Sequence, residues 1–140
     1  RYSIIPIHSI DNNESSQAGH TLFEVSKLSG KIVTTEKMMN PDDLKMISKF
    51  GIPYLVTMTS RGYIKKTPLE TYIAIRNTKN VRCMKVRDDD SMVFAGIILE
   101  NSNLLVYTKR GHYIYLTMNS ISEQAKDSMG LISRSQHGFL

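Results

Sequence analysis

Leu55-Val-Thr-Met-Thr-Ser-Arg-Gly62-Tyr-Ile-Lys-Lys-Thr-Pro-Leu69 is echoed by Leu104-Leu-Val-Tyr-Thr-Lys-Arg-Gly111-His-Tyr-Ile-Tyr-Leu-Thr-Met118, a spacing of 49 residues. Each copy is an apolar run, interrupted by Arg-Gly and resumed as a second apolar run. Repetition at a fixed period of this size implies structural units that bury their faces against one another, as in blade-type folds. A second echo, at an offset of 111 residues, aligns Tyr2 to Ile10 with Tyr113 to Ile121 and sets Gly19 opposite Gly130. The chain is therefore expected to start within one repeat unit, hold one complete unit and finish within another, as a piece of a larger ring.

The local signals are mostly those of strands. Gly62 can take the positive φ that a tight hairpin turn at Ser60-Arg61-Gly62 requires, and Pro68 ends the return strand because it cannot donate to a ladder. Val81 to Arg87 reads as a strand with Met84 and Val86 on one face and Lys85 and Arg87 on the other. Val93 to Leu99 is a continuous apolar run, the pattern of a strand covered on both faces. One helix interrupts the pattern: Asn40 as N-cap, Pro41 at the first position, acids in the first turn, Lys49 in the last and Gly51 as the stop. Its inward residues are expected to be Leu44, Ile47 and Phe50. The fold class is all-β, a β-pinwheel or propeller-like stack of antiparallel blades. Its expected divisions are a partial blade at 1–38, a helical connector at 39–51, a complete blade at 52–101 and a partial blade at 102–140.

Charge is distributed unevenly along the chain. Residues 49–87 hold nine basic groups against one acid, Glu70, whereas the flanks together carry an acidic excess of three. A patch of one sign draws polyanions, duplex DNA or RNA first among them, while the plainer reading is a solvated lysine face. The single cysteine, Cys83, permits no intrachain disulfide and is expected to be buried and inert in a reducing compartment. No apolar run approaches the roughly 18 residues of a membrane span.

Signals of catalysis are weak. The four histidines lack ligand spacing, and phosphate-binding glycine loops and a nucleophile elbow are missing. Asp88-Asp-Asp90-Ser91 reads as a solvated turn rather than a metal site, and Arg134 to His137 as a polar loop. Neither a metal nor a cofactor is expected.

The stretch from Val56 to Tyr72, with Thr-Ser-Arg-Gly-Tyr-Ile-Lys-Lys-Thr-Pro-Leu at its centre, resembles the blade motif of the C-terminal domain of bacterial type IIA topoisomerase A subunits, those of DNA gyrase and topoisomerase IV. Leu105 to Gly111 resembles the companion strand. The resemblance implies a β-pinwheel whose basic outer rim binds and bends duplex DNA. It further implies a cytoplasmic, nucleoid-associated parent enzyme, an ATP-dependent isomerase of DNA topology. The catalytic tyrosine of that parent lies in a separate domain, so Tyr63, Tyr72 and Tyr107 are not nucleophiles. Partners implied are DNA, the ATPase B subunit of the enzyme and the remainder of its A subunit, with no membrane. Carried onto this chain, the DNA-binding residues are Arg61, Lys65, Lys66, Arg76, Lys79, Arg82, Lys109 and Arg110. The glycine-rich box that gyrases place after the first Pro-Leu strand is absent from Ile73 to Asn80, which favours the topoisomerase IV type. The competing reading is a blade-type protein interaction module that binds no nucleic acid.

Overall fold

The computed structural model describes residues 2, 30–36, 40–73 and 81–132. Helix α1 (Pro41–Ser48) leads into β1 (Pro53–Thr59) and β2 (Tyr63–Pro68), followed by the one-turn helix α2 (Glu70–Ile73). Then come β3 (Met92–Leu99), β4 (Asn103–Tyr107), β5 (Tyr113–Thr117), a 3-10 turn at Met118–Ser120 and β6 (Leu131–Ile132). Four strands form one antiparallel sheet in the order β3-β1-β2-β6, and β4 and β5 form a separate hairpin. The sheet takes its fourth strand from residues 131–132, across the division expected at 101. Of the echo between Tyr2 to Ile10 and Tyr113 to Ile121, the first member lies, apart from Tyr2, outside the described residues.

The sequence repeat is a repeat of register. The β1/β2 ladder runs from Tyr54 opposite Pro68 to Met58 opposite Ile64. The β4/β5 ladder runs from Asn103 opposite Thr117 to Tyr107 opposite Tyr113. Every pair of the first, moved on by 49 residues, is a pair of the second. The turns repeat as well. Gly62 N–H donates to the Thr59 carbonyl at 2.9 Å and Gly111 N–H to the Thr108 carbonyl at 3.0 Å. The two glycines have φ of +87° and +85°, a conformation that side-chain-bearing residues adopt only with strain.

Both faces of the β1/β2 sheet are covered, which is why its strands bury residues of both parities. On one face Tyr54, Val56 and Ile64 form a core with Met118 and Ile121, and the aliphatic side of the β4/β5 hairpin packs on it through Leu104 and Leu116. On the other, Leu55 and Tyr63 pack beside a core of Leu69, Tyr72, Cys83 and Met84, joined by Leu44 from α1. Cys83 is buried there, as read from the sequence.

Three local expectations are corrected. The apolar run of β3 does not mark a strand covered throughout: β3 lies at the sheet edge, Ile97 and Ile98 reach the two cores, and Val93 and Phe94 are exposed. Residues 81–87 form no strand beyond a single bridge between Val81 and Tyr2. Cys83 and Met84 are both buried across a bend, while Lys85 and Arg87 are exposed. Helix α1 is capped as predicted, Asn40 Oδ1 accepting from Asp43 N–H at 2.8 Å. Phe50, however, falls in the turn beyond the helix and is exposed instead of facing inward.

Candidate nucleic-acid interface

Lys65 and Lys66, expected on the phosphate-facing rim, lie inside the protein. Successive strand residues point to opposite faces, and here both faces are covered, so both side chains end in the interior. Lys65 is 0% exposed. Its Nζ donates to the carbonyls of Ala125 at 2.7 Å and Lys126 at 2.8 Å, with Ser128 Oγ at 3.4 Å. Burial pulls the Lys65 ammonium down to about 8, partly offset by Cys83 and Asp127. Lys66 Nζ donates to the Met118 carbonyl at 2.7 Å and sits 4.8 Å from the Tyr54 ring centroid, a cation–π arrangement. Both lysines tie strand β2 to the segment after β5. Neither is available to a phosphate.

Arg61 occupies the tip of the β1/β2 hairpin, as expected, but has a counter-ion. Its Nη2 lies 2.7 Å from Asp89 Oδ2, with both side chains about half exposed. The loop at 88–91 is fastened to this turn: Asp90 Oδ1 accepts from Ser60 Oγ at 2.7 Å, Arg61 N–H at 3.1 Å and Ser91 N–H at 2.8 Å. Burial pushes the Asp90 carboxyl up, but hydrogen bonds from Thr59, Ser60, Ser91 and Arg61 outweigh it and hold the group below the ordinary carboxylate range. The acidic loop is thus a structural staple and a neutraliser of Arg61.

Arg82 is exposed on the connection into β3. Beside it are Lys85 and Arg87, cations that the family motif does not single out; Arg87 Nη1 donates to the Tyr63 hydroxyl at 3.2 Å. Lys109 and Arg110 stand exposed at the tip of β4/β5, in the same turn position as Ser60 and Arg61. Among the described residues they make no ion pair. Arg76 and Lys79, and with them the Ile73 to Asn80 stretch, lie outside the described residues save for the backbone of Ile73. Of the tyrosines, Tyr72 is buried and its hydroxyl is raised to about 12 by burial, whereas Tyr107 is exposed. No described helix is long and apolar enough to cross a membrane.

Over residues 53–98 the chain matches the family of the DNA gyrase C-terminal domain, a β-propeller. Over that stretch the chain is similar to a blade of that family. The matched stretch takes in β1, β2 and all but the last residue of β3, and the Arg-Gly turn lies within it. The chain is similar to the A subunit of DNA gyrase from Kosmotoga olearia, 28% identical over 116 residues that cover 78% of this chain and 14% of that protein. It is also similar to the A subunit of DNA topoisomerase 4 from Staphylococcus aureus, 24% identical over 59% of this chain and 10% of that protein. The crystal structure of the C-terminal domain of DNA topoisomerase IV shares the fold, with a TM-score of 0.53 at 22% identity over 61% of this chain and 27% of that one. The chain therefore spans about a seventh or less of the full-length relatives. The all-β, blade-type reading and the resemblance to topoisomerase A subunits both stand.

Proposed function

We propose that this chain is a non-catalytic DNA-binding unit of a cytoplasmic type IIA topoisomerase A subunit, holding and bending duplex DNA so that the rest of the enzyme and its ATPase partner can pass strands. The observation that carries this reading is the register-matched pair of hairpins, each presenting an exposed arginine at the same turn position, Arg61 and Arg110. A repeated cationic tip suits a repeated anionic backbone, and Arg82, Lys85, Arg87 and Lys109 add exposed charge. Contacts of this kind bind phosphate without reading bases, so affinity should fall steeply with salt. The missing glycine-rich box favours orienting DNA, in the manner of topoisomerase IV, over wrapping it.

The test is duplex binding across a salt series. Replacing Arg82, Lys85, Arg87, Lys109 and Arg110 with glutamine should flatten the slope of log affinity against log salt by about 0.9 for each phosphate that the variant no longer neutralises. Failure of the natural chain to retain duplex at low salt would overturn the reading in favour of a protein interaction module. That second reading has one observation of its own, the exposed tyrosine face of β4/β5.

A further inference from the structure

The two Arg-Gly turns are alike in backbone and unlike in charge. The hairpins that carry them pack together through Val56 and Ile64 on one and Leu104 and Leu116 on the other. The cleft beside this contact is lined by Met58 and Ile64, the last pair before the first turn, and by Val106 and Tyr107 at the end of β4. Both turns therefore leave the molecule along one edge, at the roughly 10 Å that separates packed sheets. At the first turn Arg61 meets an acidic loop. Asp90 N–H donates to the Arg87 carbonyl at 3.1 Å, closing a turn that Asp90 Oδ1 fastens to Ser60 and Arg61. Asp88, Asp89 and Asp90 thus stand beside Arg61 and Arg87, an excess of negative charge, with Asp89 Oδ2 2.7 Å from Arg61 Nη2. At the second turn Lys109 and Arg110 are exposed and, among the described residues, make no ion pair. Salt of about 0.1 M screens charge over about 10 Å, so the acids act strongly on Arg61 and weakly on the neighbouring tip. A turn of this kind stays open when its sheet face is covered: the first hairpin is buried under β4/β5, yet Arg61 remains half exposed.

We infer, resting on the DNA-binding reading, that the two tips have unequal roles: the β4/β5 turn is the primary phosphate contact, and the β1/β2 turn is a reserve contact, held by Asp89 until phosphate displaces it. A phosphate that approaches Arg61 must part the guanidinium from Asp89 and meets repulsion from Asp88. One that approaches Lys109 and Arg110 gains two cations and displaces no carboxylate. A guanidinium already paired with an acid exchanges one anion for another, so its net contribution to affinity is small. The ranking reverses the impression left by charge density along the chain. Of the basic groups in residues 49–87, Lys65 and Lys66 are buried, and Arg61 and Arg87 are offset by the loop between them and β3. The sparser second hairpin holds the cations that a duplex reaches first.

Titration of the 140-residue chain with a short duplex, at salt from about 50 mM to about 200 mM, tests it. Lys109→Gln and Arg110→Gln should each lower the slope of log affinity against log salt by about 0.9. Arg61→Gln should leave the slope as it is and the affinity within about twofold. In an Asp89→Asn background Arg61 has lost its counter-ion, and there Arg61→Gln should lower the slope by about 0.9 as well. These substitutions fall on exposed side chains and keep Gly62, Asp90 and Gly111, which shape the turns. Equal losses from Arg61→Gln and Arg110→Gln in the natural chain overturn the ranking while the DNA-binding reading stands. So does a slope indifferent to Lys109→Gln and Arg110→Gln. An Asp89→Asn background in which Arg61→Gln changes nothing overturns the reserve role. A natural chain that retains no duplex at the lowest salt removes the DNA-binding reading itself, and the ranking with it.

Discussion

Lys65 and Lys66 show how one residue type serves opposite ends. A lysine whose ammonium finds carbonyl acceptors can end inside a small β protein, because the alternative is a row of carbonyls with no donor. Replacing Lys65 with methionine leaves the Ala125 and Lys126 carbonyls without this partner, and an unsatisfied buried acceptor costs about 1–3 kcal/mol. Urea unfolding of Lys65→Met should show a loss of about 2 kcal/mol, with the salt slope of duplex binding unchanged. A flattened slope would return Lys65 to the rim. The Arg61 and Asp89 pair makes a contrary prediction. Asp89 competes with phosphate for an exposed guanidinium, so Asp89→Asn should tighten duplex binding at low salt by a few-fold, and the gain should fade as salt screens the pair. Weaker or unchanged binding in a low-salt titration would remove Arg61 from the contact surface. Charge counting located the basic segment but not the direction of its side chains. Direction depends on whether one face of β2 is covered or both, and the covering residues, 118–128, lie more than 50 positions away in the sequence.

At the scale of elements, the hairpins were legible because their determinants are local. Arg-Gly turns, Pro68 and the Asn40 cap each act within four residues, and the structure realises all of them. The stretch after α2 was not, since Cys83 and Met84 are held by packing against Tyr72 and Leu69 and not by a ladder. Gly130 falls between these cases. Its echo of Gly19 is visible in the sequence, but its reason is tertiary: a Cβ at Gly130 would lie 2.6 Å from the Ile64 carbonyl oxygen, and its φ is +88°. Strand β6 reaches the edge of β2 beside this glycine, through Leu131 opposite Ile64. Gly130→Ala should therefore detach β6, lowering global stability by about 1–3 kcal/mol and raising amide exchange at Tyr63, Ile64 and Ile132. Unchanged exchange at those amides would show that the backbone can give way without losing the strand.

For the whole molecule, burial of titratable groups on the Tyr72 side of the sheet makes stability a function of pH with a maximum on the alkaline side. Lys65 holds its proton up to its ordinary value of 10.5 when unfolded, but only to about 8 when folded. Between those values the unfolded chain binds more protons, so raising the pH favours the fold. Tyr2 and Tyr72 behave in the opposite sense. Burial raises each hydroxyl from its ordinary 10 to about 12, and their rings meet edge to face with centroids 5.0 Å apart. Above pH 10 the unfolded chain releases those protons first, so a further rise favours unfolding. One lysine lifts stability from about pH 8 upward and two tyrosines lower it beyond about 10, which sets the maximum near pH 10. Thermal unfolding at fixed ionic strength from about pH 7 to about pH 11.5 should trace that rise and fall. Lys65→Met should abolish the rising limb while keeping the falling one, and Tyr72→Phe should make the fall shallower. A natural chain whose Tm is flat between about pH 8 and about pH 10 would mean that Lys65 reaches water in the folded state, and that the β2 interior is open where the structure closes it.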